Sequence, residues 1–332
     1  MSTSHSNPVD VLIIGGGPAG LTTALSVARN DHTAIMFDSQ EYRNDRADHF
    51  HMIPTWDGKS PQAFRDAART NTLENYTTTA FQNTKIVSVK KMDDGLFVAT
   101  DDSGIDWYGR SLVLATGVID VMYDLPGYEE CWGRSIFHCL FCHGHEQRGS
   151  ESSGVLAIDD VAPVPFALHV ARNAAQLTKN VTLYTNGDEK NAETLQAAVG
   201  PVAPITVDYR KITKLALGEN GIGCTLTFED GSTKYEAFIA HKPKQALKSR
   251  ELIDQLGLEL TPKGDILVNP PFGETSVSGI FAAGDNSNSL KTTPNAITLG
   301  SNASAGVASH VQSRKYGHKS LSEFLRIMQK ST

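Results

Sequence analysis

The run of apolar and polar positions divides the chain into two stretches built on one plan. Residues 9–14, Val-Asp-Val-Leu-Ile-Ile, read as a short buried strand. Gly15-Gly16-Gly17-Pro18-Ala19-Gly20 stops it, and residues 21–30 follow with a helical pattern. Residues 33–38 return to a strand that ends in Asp38. A helix is predicted near 60–71, then short strands at 85–90, 96–101 and 106–110, with turns at Asp94-Gly95 and Ser103-Gly104. Residues 112–117 form another buried strand that ends Ala115-Thr116-Gly117. The order then recurs, with a strand at 154–159, a helix at 161–178, a strand at 181–184 and short strands within 205–240. Residues 241–249 read as a hinge. Residues 264–268 and 279–285 are expected to rejoin the first stretch, and 295–312 to form a helix of small residues. The expected fold is α/β, with two Rossmann-like, doubly wound, three-layer domains of the dinucleotide-binding type. Their expected bounds are 1–122 with 248–332 for the first and 123–247 for the second.

Composition changes this picture little. The 332 residues are 40% hydrophobic and 20% charged, with a formal net charge of −7. No long single-sign block is present, which argues against nucleic acid or an anionic membrane as partner. The early apolar run is too short to span a bilayer. Residues 1–8 lack the basic and apolar regions of a secretory leader, so a cytoplasmic protein is expected. Four cysteines are too few for a disulfide scaffold at this length. Cys131 and Cys224 lie in no motif and read as buried residues without a role.

Chemistry concentrates in two places. Gly15, Gly17 and Gly20 space a G-x-G-x-x-G between strand and helix, with Pro18 and Ala19 inside it. Such glycines allow a tight turn and close approach of a pyrophosphate to a helix N-terminus. Asp38 stands about 20 residues on, where an acid binds a ribose hydroxyl. The second place is the octet Cys139-Leu140-Phe141-Cys142-His143-Gly144-His145-Glu146. Two thiols three residues apart suit redox exchange, and a nearby base would supply the thiolate. His143 is the first choice for that base, with His138, His145 and Glu146 behind it. A structural disulfide would close too small a loop to stabilise much. A zinc site lacks a second pair of ligands at finger spacing, so no metal is expected. His49 and His51 lie in a loop that could line the site. Trp56, Trp107 and Trp132 read as packing.

Taken together, Gly15-x-Gly17-x-x-Gly20, Ala115-Thr116-Gly117, Cys139-x-x-Cys142 and Gly284-Asp285 followed by Pro294-Asn295-Ala296 resemble the low-molecular-weight thioredoxin reductase family of pyridine-nucleotide-disulfide oxidoreductases. The resemblance spans nearly the whole chain. It implies a thioredoxin reductase-like fold, bound FAD and a homodimer. It implies that Asp285 binds the ribitol chain and that the helix beginning near Asn295 and Ala296 faces the flavin. It also implies that Cys142 is the cysteine toward the flavin.

Two departures from that family are informative. Where its second domain carries a glycine-rich turn for NADPH, this chain has Ala157-Ile158-Asp159-Asp160-Val161-Ala162-Pro163. Where it places basic residues for the 2′-phosphate, this chain has Thr185-Asn186-Gly187-Asp188-Glu189. Carboxylates in place of phosphate ligands repel a pyrophosphate, so NADPH is not expected to bind. The octet, with Leu140 and Phe141 between the thiols and His143 after them, is similar to the branch of dithiol oxidases of the gliotoxin and holomycin type. That resemblance implies a small-molecule dithiol as substrate and molecular oxygen as acceptor. Electrons would pass through the cysteine pair and FAD and leave as hydrogen peroxide. Without an NADPH step, one stable domain arrangement is expected. The alternative is a thioredoxin reductase-like protein disulfide reductase using NADPH or another donor such as ferredoxin.

Overall fold

The computed structural model describes residues 7–329. Most of the segment 1–8, read above as no leader, therefore lies outside the described residues. Packing divides the chain into two units. The first takes residues up to 45, 53–119 and 246 onward, and the second takes 46–52 and 120–245.

The first unit is built on a five-stranded parallel sheet. Its order is Ile280–Ala282, Leu112–Leu114, Val11–Ile14, Ala34–Phe37 and Thr79–Gln82. The middle strand is fully apolar because both of its faces are covered. Val11 and Ile13 pack with the helices Pro18–Arg29 and Thr293–Tyr316. Leu12 and Ile14 pack on the other face with an antiparallel meander, Ile86–Lys91, Phe97–Asp101 and Asp106–Gly109. Each such side chain contributes about 2 kcal/mol by leaving water. The long helix begins two residues earlier than its pattern predicts, because Thr292 accepts a hydrogen bond from the Asn295 amide. It ends at Gly317, which takes a left-handed φ of 67°. The helix expected near 60–71 runs Pro61–Asn75, with Ser60 as its cap. Residues 264–268 belong to the first unit and lie outside its sheet. Gly264 turns the chain at φ 85°, and the Ile266 amide donates to the Asn286 carbonyl instead of joining a ladder.

The second unit repeats the plan. Its parallel sheet runs Ile205–Asp208, Thr178–Tyr184, Ser150–Leu156, Ile239–Ala240 and Ile136–Phe137. Val155 faces the helix Val164–Ala174. Leu156 and Tyr184 face a second meander, Ile212–Leu217, Cys224–Phe228 and Thr233–Glu236. The helix expected over 161–178 is shorter at both ends. A 3-10 turn, Asp159–Val161, precedes it, and Thr178 belongs to the next strand, its hydroxyl 2.7 Å from that of Ser153. A helix that the apolar pattern does not predict, Glu189–Val199, starts at Asp188, which caps the Asn191 amide. Cys131 and Cys224 are fully buried in this unit, with their sulfurs 3.8 Å apart.

His241 is also buried here, its Nδ1 2.7 Å from the Tyr128 hydroxyl. Burial pushes its pKa from 6.5 down to about 4. The unfolded chain therefore protonates this imidazole before the folded chain does. Its stabilisation is complete above the ordinary histidine value and is lost as pH falls toward the folded value. Urea unfolding at neutral pH and at a pH just above the folded value should show His241→Gln losing less stability on acidification than the parent, by about 3 kcal/mol. Equal losses would remove His241 from the account.

Candidate active site

Cys139 and Cys142 form a disulfide with their Cα atoms 5.3 Å apart. The loop that presents them is a tight turn. The amides of Cys142 and His143 both donate to the Cys139 carbonyl at 3.1 Å. Gly144 then takes φ 103°, in space bounded by Leu177 and Leu140, and leads into the short 3-10 helix His145–Gln147. Leu140 packs against the core of the second unit, while Phe141 is 68% exposed. One residue between the cysteines therefore anchors the turn, and the other puts an aromatic face in solvent.

The ionisable groups of the octet separate by environment. His143 stacks on Phe137 with ring centroids 5.2 Å apart. Burial holds its pKa below the ordinary histidine value, Glu146 opposes that shift, and His51 and His49 add to it. A neutral imidazole at neutral pH is ready to accept a thiol proton. Glu146 accepts from the Gly144 amide at 3.2 Å and lies 3.7 Å from His51 Nε2. His145 is exposed. His138 stacks on Trp132 at 5.8 Å. The rates of thiol exchange at the disulfide should carry an ionisation limb below the ordinary histidine pKa. Glu146→Gln should move that limb to still lower pH, because it removes the carboxylate that favours the imidazolium. Stopped-flow exchange rates across pH check this, and a limb that Glu146→Gln leaves in place would rule it out.

The segment 46–52 packs with the octet, although it follows directly on the chain of the first unit. Met52 Sδ lies 3.9 Å from Cys142 Sγ, and the rings of His49 and His51 are 6.3 Å apart. Sequence reading gave His49 and His51 a loop that could line the site, and it passed over Met52. The one available signal was a pair of imidazoles one residue apart in a loop. Among the described residues, no group of three or more His, Cys, Asp or Glu is placed to hold a metal ion.

In the first unit the glycine turn, the Ala115-Thr116-Gly117 stop, Gly284 and the start of the long helix converge. A side-chain carbon at Gly15 would strike the Ala115 carbonyl, and one at Gly20 would strike the Gly15 carbonyl. A side-chain carbon at Gly284 would lie 3.0 Å from the Ala19 methyl and 3.9 Å from that of Ala296. Gly17 and Gly117 face open space. Gly17 caps the helix Pro18–Arg29 with no side chain bonded to its amides. Asn286 Nδ2 ties the loop after Gly284 to the Leu114 carbonyl at 2.9 Å. Asp285 pairs with Arg43 at 2.9 Å. Asp38 is 2% exposed beneath Gly16, accepts from the Tyr42 hydroxyl at 2.5 Å and from the Gln40 amide at 2.8 Å, and pairs with Arg69. Gly16, Tyr42, Arg43 and Arg69 are the members of this site that the motif does not name.

The equivalent turn in the second unit is different. Asp159 sits in the left-handed region at φ 48° and pairs with Lys244 at 3.2 Å. Pro163 caps the helix, and Pro165 stands in its first turn. Neither proline has an amide hydrogen to offer an anion.

A family model described as pyridine nucleotide-disulphide oxidoreductase matches residues 9–183. A protein named thioredoxin reductase tcpT from Claviceps purpurea is 47% identical over 96% of this chain and 99% of its own length. One named thioredoxin reductase sirT from Leptosphaeria maculans is 43% identical over 90% of this chain and 93% of its own length. The chain belongs to the pyridine nucleotide-disulphide oxidoreductase family. Among solved structures, an oxidoreductase from Agrobacterium tumefaciens is similar with a TM-score of 0.79 and 29% identity, covering 93% of this chain and 99% of that one. The fold is also shared with the structure titled HlmI, at a TM-score of 0.82 and 24% identity over 100% of this chain and 99% of that one.

Membership of this oxidoreductase family implies a flavin, FAD. The first unit fits it. The open turn at Gly17, with uncapped amides behind it, suits a pyrophosphate. Thr116, Gly117, Asp285 and the helix start at Asn295 and Ala296 would hold the remainder. Bound there, the flavin supplies two-electron chemistry that side chains cannot. No helix among the described residues is long and apolar enough to cross a membrane.

Proposed function

We propose that this oxidoreductase is an FAD-dependent dithiol oxidase that closes an intramolecular disulfide in a small-molecule dithiol. The dithiol loses two electrons and two protons, oxygen gains them, and hydrogen peroxide leaves. The observation that carries this reading is the turn at Asp159–Pro163 in the second unit. It has a carboxylate tied to Lys244 and Pro163, with Pro165 just beyond, where a nicotinamide dinucleotide needs free amides. With that entry weakened, electrons need another way in, and the disulfide beside exposed Phe141 can accept them from a small apolar thiol.

Cys139 accepts attack by a substrate thiolate, and Cys142 leaves as thiolate. The second substrate thiol then attacks the mixed disulfide, which releases the cyclic disulfide and leaves the pair reduced. His143 takes the proton that each substrate thiol gives up. Leu140 and Phe141 suit a compact apolar substrate, of the epidithiodiketopiperazine or dithiolopyrrolone kind, better than a protein loop. The protein would act as a homodimer in the cytoplasm.

A second reading, protein disulfide reduction driven by NADPH or by another donor such as ferredoxin, is favoured by the names of the relatives. Anaerobic mixing separates the two. A small dithiol should bleach the visible flavin band, and air should restore it with peroxide formed. Rapid bleaching by NADPH instead would return the protein to the reductases.

A further inference from the structure

We propose that Met52 is a specificity-determining residue that directs thiol attack to Cys139 by shielding the sulfur of Cys142. The inference rests on the function proposed above, because it concerns how a thiol enters that disulfide.

The contact is deliberate in its construction. Segment 46–52 is fixed to the second unit at successive points. Arg46 Nη1 donates to the Glu129 carbonyl at 2.8 Å, and Nη2 pairs with the Glu129 carboxylate at 3.1 Å. Phe50 is 4% exposed, and His51 lies 3.7 Å from Glu146. These anchors bring Met52 to a left-handed φ of 70°, which a methionine rarely adopts. Held in it, the thioether sits 3.9 Å from Cys142 Sγ.

Thiol–disulfide exchange depends on which sulfur a thiolate can reach. The thiolate approaches the attacked sulfur along the line of the S–S bond and expels the other sulfur with the bonding electron pair. A thioether in contact with Cys142 obstructs approach to that sulfur. Among the described residues, Cys139 carries no such sulfur contact. Attack at Cys139 forms the new S–S bond there and leaves Cys142 as the free thiolate. Attack at Cys142 would strand the substrate on the wrong sulfur. The flexible, polarizable thioether also offers a soft surface to an apolar sulfur compound.

The test uses the oxidised, flavin-loaded full chain and benzyl mercaptan, a monothiol that cannot release itself by ring closure. Rapid quenching into excess maleimide fixes the adduct, and peptide mass mapping assigns the probe to one cysteine and maleimide to the other. The parent should carry the probe on Cys139 over Cys142 by about tenfold. Met52→Ala should bring the two near parity, and Met52→Leu, which keeps the bulk, should restore the bias. A ratio unchanged in Met52→Ala, or a parent labelled chiefly on Cys142, overturns the inference while leaving the oxidase reading intact. Absence of any adduct on either cysteine overturns both.

Discussion

Cys142→Ser should retain its flavin and lose dithiol oxidation by at least about a thousandfold, which corresponds to ~4 kcal/mol of barrier. The loss is expected to fall on turnover and not on the fold. The turn at the octet is held by the Cys139 carbonyl accepting two amides and by Leu140 in the core, and neither needs the disulfide. Serine cannot close the disulfide with Cys139, so a substrate thiolate finds no S–S bond to break and no route connects substrate to flavin. The serine variant should still exchange a substrate thiol at Cys139 if that cysteine is first capped as a mixed disulfide. Oxygen uptake with a small dithiol measures the loss, and flavin content measured on the same sample separates it from misfolding. Retention of more than a few per cent of the oxygen uptake would mean that electrons bypass the cysteine pair.

Gly20→Ala should empty the first unit of flavin and lower its stability by about 3 kcal/mol. The new methyl group would meet the carbonyl of Gly15, a backbone atom locked between Ala115 and the helix Pro18–Arg29. Either the helix retreats from the sheet or the turn opens, and both disturb the packing around Ala19, Ala296 and Gly300. Gly17→Ala is the matched control. Its methyl group meets no protein atom, so the melting temperature should hold while flavin affinity falls, because the methyl occupies the approach of the pyrophosphate. Thermal unfolding and bound flavin, measured together, read both variants. Equal behaviour of the two would show that the turn is not built as described.

The glycine turn, the cysteine pair and the repeated strand–helix–strand order were legible in the chain because each has a local cause. A turn between Ile14 and Pro18 that leaves no room for a side chain at Gly15 or Gly16 leaves a sequence mark. The limits of the helix at Val164–Ala174 were not legible, since Thr178 continues an apolar rhythm and is claimed for a strand only by its partner Ser153. The helix Glu189–Val199 escaped for the opposite reason. It buries only Ala192 and Leu195, too narrow a stripe to stand out, although its cap Asp188 was in view. Met52, His51 and Arg46 show the larger gap. A loop side chain reaches the octet across about 90 positions of sequence, and no periodicity foretells such a meeting. Asp38 shows a milder one. The motif locates the acid, but its burial under Gly16 and its partners Tyr42 and Arg69 come from tertiary packing.

The first unit is interrupted in the chain, and that sets the order in which the protein can be made. Its edge strand Ile280–Ala282 and its helix Thr293–Tyr316 are encoded after the whole of the second unit. During synthesis the second unit has every strand of its sheets before the first has its full core. The growing chain must therefore keep Val113, Ala19 and Ala24 without their final partners Phe281, Ala303 and Val307 until the last quarter emerges. Flavin loading becomes a late event at the ribosome, and a truncated product lacking that last quarter would be a colourless polypeptide with a folded middle.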